Sequence, residues 1–164
     1  MLDLSAGDAV VTQLLDDSAL VQDQAATAMA APALEKAGED IRAAGVLLNA
    51  DLPRNAYDIA YEALRTTLDG FLNHQGLRVT SRPGHHRAVI DASLGQLEKV
   101  VPAQIVNAAR RMAHTRGLDQ YAYTASVPTP EEASDALEVA SRLHELITAA
   151  VGGGMIPLWT SRRH

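Results

Sequence analysis

The chain has no cysteine, which excludes disulfide frameworks, thiol nucleophiles and thiolate-held zinc, and fits a reducing compartment. Aromatics are scarce as well, at 4% with one Phe and one Trp. A β-sandwich, whose core draws on aromatic and β-branched residues, therefore lacks its material. The alanine- and leucine-rich remainder points to an all-α core. No apolar run approaches the roughly 20 residues that span a bilayer, and the N-terminal MLDLSAGD is acidic where a secretory signal is basic. A cytoplasmic protein with no membrane segment is expected. Nor is there an excess of positive charge: the formal net charge of -6 excludes a generally basic nucleic-acid surface, because phosphate affinity draws on clustered Lys and Arg. A local basic patch is compatible with that sum.

What is present is one domain's worth of foldable chain: 164 residues, 47% hydrophobic and 21% charged, values of globular rather than disordered sequences. Three regions are expected. Residues 1–31 form an acidic, alanine-rich N-terminal extension in which Val10, Val11, Leu14 and Leu15 suggest a short helix. Residues 32–151 carry the helical pattern, and 152–164 form a C-terminal tail, flexible or docked through Met155, Ile156, Leu158 and Trp159.

Within the central region Leu34, Ala37, Ile41, Ala44 and Leu48 recur at steps of three and four, one face of an amphipathic helix. Pro53 suits the first turn of the next, where its missing N–H is not needed, and Tyr57, Tyr61, Leu64, Leu68 and Phe71 continue as a core stripe. Gly76 to Gly84 (GLRVTSRPG) reads as a loop with a basic edge at Arg78, Arg82 and Arg87. A third helix follows from Ile90, Leu94 and Leu97, and a fourth from Ile105, Ala109 and Met112. The last opens with Thr129 as N-cap, Pro130 at the first position and Glu132 three residues on, a capping-box arrangement. Its stripe runs from Ala133 to Val151 and ends at three glycines. The pattern predicts an up-and-down bundle of four or five helices, antiparallel because the connections are short.

The unusual segment is RRMAHTRGLDQYAY, residues 110–123. It gathers Arg110, Arg111, His114, Arg116, Tyr121 and Tyr123 near the end of the fourth helix. Arg116 falls on the stripe just used by Ile105, Ala109 and Met112, a costly place for a guanidinium unless it is paired or opens into a cleft. Arg116 and Tyr123, seven residues apart, share a face if the helix continues. A structural role for Arg116 would tie helices together through Asp119 or Asp69; a chemical one would face phosphate. His85 and His86 look like a metal or acid/base pair, but sequence neighbours on a helix point apart, so a helix entry is the simpler account and no metal site is expected.

The order YDIAYEALRTTLDGFLNHQGLR, the PGHH turn, AARRMAHTRGLDQY and PEEASDALEVASRLHELI resembles the HEPN family of small helical bundles over residues 32–151. The resemblance implies a homodimer whose protomers form one cleft, and for many members a metal-independent endoribonuclease of toxin or antiviral type that needs no cofactor. Its active-site pattern is R-x-x-x-x-H-x-Y, in which the RNA 2′-OH is activated against the adjacent phosphate. Arg116 matches the motif arginine and Tyr123 its terminal tyrosine, while the histidine position is occupied by Tyr121. A phenol with a pKa of about 10 is a poor base at neutral pH. The resemblance thus assigns Arg116, Tyr121 and Tyr123 to catalysis and Arg110, Arg111 and His114 to nucleic-acid binding. It further implies RNA as ligand and, in toxin–antitoxin pairs, a minimal nucleotidyltransferase partner that modifies the motif tyrosine. Two other readings fit the same residues: a non-catalytic partner-binding subunit docking through its ends, and a nucleotide-binding helical module.

Overall fold

A computed structural model of the chain describes residues 1–119 and 127–161. In chain order it contains α1 (Asp8–Asp16), β1 (Leu20–Gln22), α2 (Ala30–Asn49), α3 (Pro53–His74), β2 (Leu77–Val79), α4 (His85–Leu97), α5 (Ala103–Asp119) and α6 (Pro130–Gly152). Short 3-10 turns stand at Ser5–Gly7 and Gln24–Met29. Five of the helices, α2 to α6, form the bundle read from the periodicity. No helix among the described residues is long and apolar enough to cross a membrane.

The bundle is organised around α3, which packs against α2, α4, α5 and α6. Its expected stripe of Tyr57, Tyr61, Leu64, Leu68 and Phe71 is buried, and so are Ala60 and Ala63 between those positions and Ala56 and Leu72 at either end. Small alanines on the remaining faces let neighbouring helices approach, so α3 is covered on several sides and behaves as a central helix. Each fully buried Leu or Phe contributes about 1.5–3 kcal/mol relative to exposure. Pro53 stands at the start of α3. At the start of α6 the Thr129 hydroxyl accepts from the Glu132 backbone N–H at 3.1 Å, with Pro130 at the first helical position. This is the forward half of the capping box.

Two segments differ from their sequence reading. The low-complexity start is folded: Leu4, Val11, Leu20 and Ala26 are buried in the core. Gly7 comes so close to α4 that an added Cβ would meet Gln96 Cγ at 2.4 Å. The GLRVTSRPG loop in turn contains β2, which pairs antiparallel with β1 in the register Leu20↔Val79, Val21↔Arg78 and Gln22↔Leu77. Three-residue strands are too short to display a period of two, so nothing in the pattern announced this ribbon. Two of the loop's cations serve it. Arg78 pairs with Asp23 at 3.1 Å, and Arg82 donates to the Asp17 carbonyl at 2.9 Å.

The tail is docked. Trp159 N–H donates to Gln75 O, the Gln22 amide donates to Trp159 O, and Leu2 N–H donates to Met155 O. Ile156 and Trp159 are buried, whereas Met155 and Leu158 stay exposed. The two ends of the described chain therefore close over the same end of the bundle.

Candidate functional site

Between α3, α4 and α5 lies an open cleft of about 500 Å³, within the ~300–1,000 Å³ span of small-ligand sites. Three local features of the sequence build it. The core face of α5, through Val106, Ala109 and Met112, fixes that helix against the bundle, and Arg110, Ala113 and His114 on its flank, with Arg116 one turn further along the same stripe, line the cleft. On α3, Tyr61 and Glu62 form the floor. On α4, entry through Gly84 brings His86, Arg87, Ile90 and Asp91 to the opposite wall. Gly84 has φ +82°, the left-handed region that glycine reaches without steric cost, and this turn aims the start of α4 at the cleft.

The arginines are held loosely. Arg116 pairs with Asp58 at 3.0 Å and Arg110 with Glu98 at 2.7 Å, every one of these side chains remaining at least 31% exposed. Such pairs contribute about 0.2–1 kcal/mol, so a phosphate can replace the carboxylates at small cost. Arg116 thus ties α5 to α3 as a structural arginine would, but through Asp58 in place of Asp69; the Asp119 side chain lies outside the described ones. Three arginines line the cleft, each beside a carboxylate: Arg87 pairs with Asp91 at 3.3 Å as Arg110 does with Glu98 and Arg116 with Asp58, so guanidinium groups are gathered there in a chain of net charge -6.

The two imidazoles of the PGHH turn are not splayed apart as helical neighbours were expected to be. Their rings meet edge to face, centroids 4.2 Å apart at 79°, because His85 opens the helix and folds back so that its Nδ1 lies 3.1 Å from Arg82 O. Among the described residues no group of three or more histidines and carboxylates could hold a metal ion.

Burial perturbs the floor and wall. His86 is pushed below the usual histidine value of 6.5, first by desolvation and then by the Arg65 guanidinium and His85, with Glu62 pulling the other way. Its ring is therefore neutral at neutral pH. Tyr61 is raised above 10.0 by burial, so its hydroxyl keeps its proton. Asp69, behind the floor, is raised above 3.8 by burial against the opposing pull of Arg65 and His85.

Of the six residues singled out in the sequence, the structure brings Arg110, His114 and Arg116 into one cleft. Arg111 is exposed and is not among the cleft's lining residues. Tyr121 and Tyr123 lie outside the described residues. Sequence reasoning passed over Asp58 and Glu62, weighed His86 only as half of a histidine pair and set it aside as a helix entry, and took Tyr61 for core alone, although it both packs in the core and floors the cleft. The histidine doublet after PG was the one visible signal for the α4 wall.

The HEPN-domain family model matches residues 31–150, which takes in every helix that builds the cleft. No curated protein and no solved structure matches the chain. A match across most of the sequence, on a helical bundle of the expected element order, establishes that the chain belongs to the HEPN-domain family.

Proposed function

We propose that the chain is a toxin- or defence-type HEPN protein whose α3–α4–α5 cleft binds single-stranded RNA and cleaves it without a metal ion. The observation that carries this reading is the convergence of guanidinium groups held by exchangeable ion pairs: Arg87, Arg110 and Arg116 meet two imidazoles on one cleft of an acidic protein. Arginine forks suit phosphate, and single strands are the RNA form whose backbone enters so narrow a space. In this reading Arg110, Arg116 and His114 face phosphate oxygens and Arg111 meets the strand outside the cleft. Tyr121 and Tyr123 follow Arg116 as the motif's remaining catalytic positions. A homodimer would set two such clefts together, and a minimal nucleotidyltransferase acting on Tyr123 would be the matching antitoxin.

Binding of a short labelled single-stranded RNA at low salt tests it. The affinity should fall with salt, and Arg110→Ala and Arg116→Ala should each flatten the log–log salt slope by about 0.7, the share of one phosphate on a single strand. Arg142→Ala removes the same charge from α6, where Arg142 pairs with Glu138 away from the cleft, and should leave the slope unchanged. Equal loss in all three variants would reduce the effect to net charge, and absence of low-salt binding would end the reading.

A further inference from the structure

We infer that His86, on α4 and outside the R-x-x-x-x-H-x-Y pattern, is the general base of this cleft, taking the proton from the RNA 2′-hydroxyl. The inference rests on the proposed ribonuclease reading and deepens it. The family pattern places its base after Arg116 on α5, where this chain carries Tyr121; the cleft, however, contains an imidazole on the facing wall.

Three observations favour His86 over the other cleft imidazole. Its ring is half-buried and held edge-on by His85, itself fixed against Arg82 O, whereas His114 is exposed on α5. A base must be oriented before it can act, and this contact supplies the orientation. Next, α4 faces α5 across the cleft, so a phosphate gripped by Arg110 and Arg116 presents its neighbouring ribose toward the α4 wall. Finally, burial, reinforced by charged groups around it, keeps the His86 ring in the proton-accepting form. From α3 these are Arg65 and Glu62, and from α4 His85, Arg87 and Asp91, while Arg110, His114 and Arg116 line the cleft from α5. Asp58 and Glu98 pair with Arg116 and Arg110 and Asp69 faces Arg65 and His85, so the groups that act on the ring are Arg65 and His85, opposed by Glu62, and a nearby cation disfavours imidazolium.

The step balances without a metal or further reactant. His86 accepts the 2′-hydroxyl proton as the 2′-oxygen bonds to phosphorus, the bond from phosphorus to the 5′-oxygen breaks, that oxygen takes a proton from water in the open cleft, and the hydroxide so formed recovers the proton from His86, restoring water and the neutral ring. The products are a 2′,3′-cyclic phosphate and a 5′-hydroxyl end, and the arginines stay on the non-bridging oxygens throughout.

The experiment compares the full-length protein with His86→Gln, His86→Ala and His114→Gln. Probes are a labelled single-stranded RNA of mixed sequence and its 2′-deoxy counterpart; binding and cleavage are measured separately, and circular dichroism checks the fold. The expected result is cleavage by the wild type of RNA but not DNA. His86→Gln should lose about 10²- to 10⁴-fold in rate, the usual worth of a general base, at unchanged RNA affinity, and added imidazole should partly restore His86→Ala. The wild-type rate should hold through neutrality and fall only below pH 6.5, the ordinary histidine value. Cleavage retained in His86→Gln overturns the assignment while the ribonuclease reading stands, as does a rate lost in His114→Gln but kept in His86→Gln. Binding without cleavage by the wild type overturns His86 as a base and leaves RNA binding intact. Neither binding nor cleavage overturns both.

Discussion

Helices α3 and α5 touch the same cleft but are built on opposite principles. Along α3 buried positions fall on several faces, from Ala56 and Tyr57 through Thr66, Thr67 and Leu68 to the run Gly70–Asn73, whereas α5 buries Val106, Ala109 and Met112 and presents arginine and histidine to the cleft. The first is a pillar that other helices need; the second is an arm clamped by one narrow apolar strip and by two exposed ion pairs. The contrast teaches how a small bundle separates stability from chemistry. The residues that hold the fold are uniform and replaceable in kind, and the residues that face the ligand cost the fold little.

Truncation should break the contrast if it is false, and the largest effect is expected in α3. Phe71 is fully buried, so Phe71→Ala removes an aromatic ring and leaves a cavity, at a cost of about 3–5 kcal/mol. Urea unfolding followed by circular dichroism should show a large fall in midpoint, and RNA binding should be lost only where the protein is unfolded. A second variant, Arg110→Ala with Arg116→Ala, should cost less than about 2 kcal/mol in the same assay, since each exposed pair contributes about 0.2–1 kcal/mol. Its folded protein should nevertheless bind RNA poorly. A larger stability loss would show that Arg116 and Asp58 are a structural clamp between α5 and α3, and the two helices would then differ in degree and not in kind.

This same asymmetry explains what could be read without coordinates. The α3 stripe and the Thr129–Pro130–Glu132 start of α6 were legible because periodicity and capping are local, expressed within a few turns of one helix. Arg116 was legible as an anomaly on an apolar stripe, but its partner Asp58 lies 58 positions away and leaves no trace in spacing. His86 was discounted for the same reason. Its meaning comes from α3 and α5 across the cleft, while its sequence neighbours suggested only a helix entry. The β1–β2 ribbon and the docked tail are likewise non-local, each fixed by hydrogen bonds between distant backbone segments. Acidic, low-complexity composition and the interruption of the apolar stripe at Asp16 and Asp17 made residues 1–31 look like an appendage, yet a few apolar side chains and the close approach of Gly7 to Gln96 fold their start onto α4.

The smallest expected effect is on the pH dependence of stability, and its sign separates the wall of the cleft from the layer behind the floor. His86 has a folded-state pKa below the ordinary 6.5, so near and below that pH the unfolded chain binds the proton more readily than the native one. Its neutral form is fully compatible with the fold above 6.5, and stability is lost as pH falls from 6.5 through the lowered value. Asp69 behaves oppositely: its pKa is raised above 3.8, so between 3.8 and the raised value the native state holds the extra proton, and stability is lost as pH rises through that window. Urea midpoints measured from pH 7 downward should therefore decline first in a range that His86→Gln flattens. Below it, Asp69→Asn should remove a separate dependence of the opposite slope. The His86 component is small because the ring is only half-buried, and RNA that engages the cleft near pH 6 should shrink or reverse it, since bound phosphate stabilises the imidazolium that the free protein disfavours and so raises the lowered pKa.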